Sequence, residues 1–311
     1  MRADILDSHA TRAARRTWAN APNSEATPPQ RLDGEPLSRH TLTTIEGRGR
    51  SISTEQEIDA RGLISAASLL FAPGERPARR AIAALARDKA GFAVSLDPAE
   101  EGDGDSGPGE ATTWLELLAN GLTFDLIGLA PGQSAELPAA DQLFGLPETL
   151  RAERLEAVAL RPGPHLAAGA GMLPVVRSLA WLAARLADLP GVRAVAWHPA
   201  RCWSAPAHFR DLVLRWSEGG VFPGLGLASL SPMPDGGMQS HGLALFGGQE
   251  LRLEPQLAQD RAAGAKIALR LMHWLVEHGR LEAEERLTGP DGQPLRLEPS
   301  PNGRFVRVWR G

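Results

Sequence analysis

The densest grouping of chemically capable side chains in this sequence is Trp197-His198-Pro199-Ala200-Arg201-Cys202-Trp203, with His208 following. Imidazole nitrogen and thiolate sulfur are both zinc ligands, and a thiol beside an imidazole base is the pairing that thiol nucleophiles use. The spacing argues against both. His-x3-Cys-x5-His matches no zinc pattern, neither CxxC nor HExxH accompanies it, and a structural zinc site needs four ligands. A lone cysteine between two tryptophans reads instead as a small buried hydrophobe. No catalytic residue and no metal ligand is therefore assigned. His198, Cys202 and His208, joined by Glu250, are kept as the alternative set for metal binding or catalysis.

The other motifs weaken on inspection. His273 and His278 lie five residues apart in a helical stretch, which turns them about 140° apart around its axis at ~100° per residue, so they cannot grip one metal. Asp103, Asp105 and Glu110 occupy a Gly-rich run that lacks the sixth-place glycine and twelfth-place glutamate of a calcium loop. The glycines at 169–171 and 224–226 complete neither GxGxxG nor GxxxxGK[ST], and no GxSxG elbow is present. No cofactor is expected.

Glu250 is different. In residues 249–255, QELRLEP, strand alternation puts Glu250, Arg252 and Glu254 on one face and Leu251 and Leu253 on the other. Aromatics and arginine supply large contact areas and directional hydrogen bonds at interfaces. A sheet surface carrying Trp197, Trp203, Phe246, Glu250 and Arg252 is the candidate binding face. Burial of its aromatics would count against it.

Composition narrows the function classes. The chain has 311 residues and a formal net charge of -4, with a pI near 6.1. A general nucleic-acid binder gathers basic charge to neutralise phosphates, so that class is set aside. Cys202 is the single cysteine, and a chain without disulfides suits a reducing compartment. The amino terminus has no apolar core of signal-peptide length, and no stretch approaches about 20 consecutive apolar residues. The expectation is a cytoplasmic protein with a protein partner, without nucleic acid or membrane.

The elements that would position these residues follow from periodicity. Residues 1–60 are rich in polar residues and proline with no apolar period, which reads as a flexible arm. Residues 63–71 form a buried strand, a helix carries Ile82, Leu85 and Ala86, and residues 92–96 form a strand. Residues 100–110 are a loop. Asn120-Gly121 between apolar runs predicts a tight hairpin of residues 113–119 and 122–130. Residues 131–147 read as a surface excursion or linker, with a domain boundary near 150. Beyond it come a strand at 156–161, a helix with Val175, Leu179, Leu182 and Leu186 in phase, a strand at 192–198 and a helix at 206–217. Strands at 224–230, 241–247 and 249–255 suggest an antiparallel meander, followed by a helix at 256–278 and strands at 294–299 and 304–309. The fold class is α+β, with two mixed sheet-plus-helix subdomains at 61–150 and 151–311.

The second half, about residues 155–311, resembles a bacterial family defined as domain of unknown function 4261 (DUF4261). The likeness rests on AVAWHPARCW, on SHGLALFGGQELRLEP and on the helix that follows. Ser240, Gly242, Leu243, Phe246, Gly247 and Glu250 fit the family's short signature. The resemblance implies a small α+β domain in a bacterial cytoplasmic protein and supplies no catalytic residues. Together these readings favour a non-enzymatic protein-interaction or chaperone-like accessory module.

Overall fold

The opening apolar run forms the middle of a large sheet. The computed structural model describes residues 66–88, 91–98 and 114–311, so the expected arm, the start of the first strand and the 100–110 loop lie outside the described residues. Strand β1 (Ala67–Phe71) is buried at every position, as a strand covered on both faces must be. The rest of that sheet is β2 (Phe92–Leu96), β3 (Trp114–Ala119), β4 (Leu122–Ile127), β5 (Gln142–Phe144), β6 (Glu156–Pro162), β7 (Ala194–Trp197) and β8 (Cys202–Ser204). Their order is β2-β3-β4-β6-β1-β7-β8-β5. Leu69 sits opposite Val158 on one side and Val195 on the other. Residue 150 thus falls between two strands of one sheet, β5 and β6.

Three helices serve this sheet: α1 (Arg79–Arg87), α2 (Leu173–Leu186) and α3 (Pro206–Ser217). Alternation along β1 decides which residues meet them. Ala67, Leu69 and Phe71 join Ile82, Val176, Leu179 and Phe209 in the main core. Leu70 belongs to a second cluster with Ala157, Ala194, Ala196 and Trp203, against which Ala135, Ala140, Leu143 and Leu146 pack. The proline-rich stretch is therefore no mere linker. It covers this second cluster and contributes β5, paired parallel to β8. Three residues are too few to show a period, and the pairing partner lies 60 residues away, Gln142 opposite Cys202.

Asn120 and Gly121 adopt φ of 52° and 77°, the left-handed pair that a tight turn between β3 and β4 requires. The expected hairpin is present.

The second sheet is built from β9 (Ser229–Pro232), β10 (Met238–His241), β11 (Glu250–Leu253), β12 (Glu285–Thr288), β13 (Pro294–Pro299) and β14 (Phe305–Arg310), in the order β12-β13-β14-β11-β10-β9. β9, β10 and β11 pair antiparallel in succession, the expected meander arrangement, and β11 then pairs parallel to β14, with Glu250 opposite Phe305. The expected strand at 241–247 is a correction. After His241 the chain turns into a short helix, α4 (Ala244–Gly247), for a reason supplied by Glu250 below. The strand expected at 224–230 begins only at Ser229. The long helix divides into α5 (Pro255–Ala258) and α6 (Arg261–His278), because the Asp260 carboxylate accepts hydrogen bonds from the amides of Ala262 and Ala263 at 2.9 and 3.2 Å and starts a new helix. Helices and two mixed sheets make this an α+β fold. Among the described residues, no helix is long and apolar enough to cross a membrane.

Candidate functional site

The His-Cys grouping is taken up by structure. His198 follows β7, and its Nε2 lies 2.9 Å from Ser68 Oγ on β1. Burial pushes its pKa down to about 4, so the ring is neutral near pH 7. Cys202 is buried, its thiol donates to the Gly226 carbonyl at 3.3 Å, and burial raises its pKa to about 12. A thiol held in its protonated form is a poor nucleophile and a poor ligand. His208 stands exposed on α3. Among the described residues no three His, Cys, Asp or Glu side chains are grouped to hold a metal ion.

Glu250 acts on the backbone around it. Its carboxylate accepts from Ser240 Oγ at 2.5 Å and from the amides of Gly242, Leu243 and Ala244 at 2.9, 3.2 and 3.1 Å. The amide of Leu251 donates in turn to Ser240 Oγ at 2.7 Å. An anion facing free amides at the start of α4 holds the chain in a turn where apolar content alone suggested a strand. The two signature glycines have packing reasons. Gly242 has φ +83°, and a Cβ there would meet the Pro199 carbonyl at 3.0 Å, while one on Gly247 would meet the Leu275 carbonyl oxygen at 3.2 Å. Ser240, Gly242, Gly247 and Glu250 are thus parts of one folded turn.

The expected binding face does not assemble on the surface. Trp197, Trp203 and Phe246 are 0%, 5% and 6% exposed. Phe246 is 4.9 Å from Phe222 and 6.3 Å from Trp197, centroid to centroid, inside an aromatic core. Trp203 points into the opposite cluster, where its indole N–H donates to the Pro138 carbonyl at 3.1 Å. The reason is the fold itself: strands expected at an open face are covered on both sides. Arg252 is ion-paired with Asp235 and lies 3.6 Å from Glu254, which also binds Arg307 at 2.7 Å. Leu251 and Leu253 are buried beneath this charged face, as the alternation requires.

The open feature lies at the other end of the first sheet. β2 is its terminal strand and, among the described residues, hydrogen-bonds only to β3. Beside it runs α1, and between them lies a groove of about 730 Å³. The floor is Phe92, Val94, Leu96 and Leu115; the wall is Arg79, Arg80, Ala83, Ala86 and Arg87. Arg79 is paired with Asp97 at the far end of β2, so α1 runs antiparallel to the strand. Arg80 and Arg87 are exposed and make no ion pair among the described residues. The signal was present in the sequence as Arg79, Ala83 and Arg87 at intervals of four, one face of a helix. No family model, no curated protein and no solved structure matches this chain.

Proposed function

We propose that this chain is a non-enzymatic protein-interaction module of the bacterial cytoplasm, its second half related to DUF4261, and that it docks partners along the β2 edge. One observation carries the reading: among the described residues, β2 ends its sheet with no strand on its outer side and lies beside a helix, with a groove between them. Unpaired N–H and C=O groups on a strand edge are a template for another extended chain, and a flanking helix supplies pockets for alternate side chains. The His198, Cys202, His208 and Glu250 alternative draws no comparable support, since three of the four are engaged in internal hydrogen bonds.

The test is affinity purification of the intact protein from its native host, with mass spectrometry and elemental analysis of the same sample. Successive residues of a strand point their N–H groups to opposite sides, so either Ala93→Pro or Val94→Pro removes an outward donor. The one that keeps the wild-type thermal transition serves as the edge-blocked variant. A stoichiometric protein lost from that variant supports the reading. Stoichiometric metal without a protein partner overturns it and returns attention to His198, Cys202 and His208.

A further inference from the structure

Resting on the docking reading above, we propose that the occupant of the β2 groove is an extended peptide segment bearing two carboxylates four residues apart, added to the sheet beside β2. The wall sets the charge. Among the described residues, three arginines line the groove against one lining carboxylate, Asp97, which Arg79 engages. Arg80 and Arg87 are left facing solvent on a protein whose overall charge is -4. A local cationic strip on an acidic protein selects acidic partners by steering and by rejecting like charge.

Geometry sets the spacing. Seven to eight residues separate Arg79 and Arg80 from Arg87, which at 1.5 Å per residue is roughly 11–12 Å along α1. A strand advances about 3.4 Å per residue, and same-face side chains recur every second residue, so positions i and i+4 span about 13–14 Å. Arginine side chains are long enough to absorb the difference. The floor asks for apolar or β-branched residues between the carboxylates, because Phe92, Val94, Leu96 and Leu115 offer no charge.

A second copy of this chain fits poorly. Pairing β2 with β2 would set two arginine walls against each other, and like charges placed together cost affinity.

The test uses the full chain and a fluorescein-labelled nine-residue peptide of alternating threonine and valine with glutamate at its third and seventh positions. A twin carries glutamine at both. Fluorescence anisotropy at low salt should show the glutamate peptide binding roughly tenfold more tightly than the twin, the scale expected of two exposed ion pairs. Arg80→Glu with Arg87→Glu should abolish that preference, and the folded proline variant should remove binding of both peptides. If both proline variants unfold, the charge-reversed protein decides. A glutamate peptide that fails to bind, or binds no better than its twin, overturns the acidic occupant. Whether the docking edge falls with it is read separately, from survival of the copurifying partner in the edge-blocked variant. A single-stranded oligonucleotide that outcompetes the glutamate peptide and ignores the proline substitution also overturns the proposal.

Discussion

Loss of water around the His198 imidazole lowers its pKa to about 4, against 6.5 for a free ring. Between those values the unfolded chain binds a proton that the folded chain refuses. Stability is therefore complete above about pH 6.5 and declines as pH falls toward 4, by at most about 3 kcal/mol from this residue. Thermal unfolding followed from pH 7.5 to 4.5 should show that decline, and His198→Gln should flatten it. An unchanged slope in the variant would mean that the ring takes its proton in the folded state. Glu250 makes a different residue-scale case. Four donors converge on its carboxylate, so Glu250→Ala should cost about 3 kcal/mol in denaturant unfolding and Glu250→Gln less, since the amide keeps one acceptor oxygen. Cys202, buried with its pKa raised to about 12, should stay unreactive to a thiol reagent in the native protein and react fully in denaturant. Reaction at the native rate of an exposed thiol would refute its burial.

The same contacts explain what could be read at the scale of elements. Long periodic helices and the Asn-Gly hairpin were legible because their signals are local: Val175, Leu179, Leu182 and Leu186 repeat, and two left-handed residues close the turn. The β5 strand, the helix at Ala244–Gly247 and the parallel pairing of β11 with β14 were not. Each depends on a partner distant in sequence or on one side chain outvoting apolar content, as Glu250 does. The candidate face failed for a related reason: Trp197 and Phe246 look identical in sequence whether they cap a surface or fill a core. The break before α6 was also missed, the run 256–278 being read as one helix, although Asp260 precedes α6 as a capping residue should. Asp260→Ala should lower stability by about 1 kcal/mol, measured by urea unfolding, with little change in m-value.

Across the whole molecule, Trp197 lies where the first sheet meets the aromatic cluster of Phe209, Phe222, Trp216 and Phe246. Truncating it leaves a cavity in a shared core, so Trp197→Ala should cost about 3–5 kcal/mol by chemical denaturation. A variant of near-native stability would instead place the indole on a surface.

The order of strands also governs how the protein is made. Central strand β1 is made well before its two neighbours, residues 156–160 and 194–197. At roughly 5–20 residues per second, synthesis keeps that apolar strand waiting for several seconds or longer before either edge is satisfied. β11 has β10 on one edge when it is made and waits only on the other, for residues 305–308. The nascent chain thus carries β1 as an unpaired, sticky segment until residues 156–160 have been added, and guarding that interval favours a high yield in the cell.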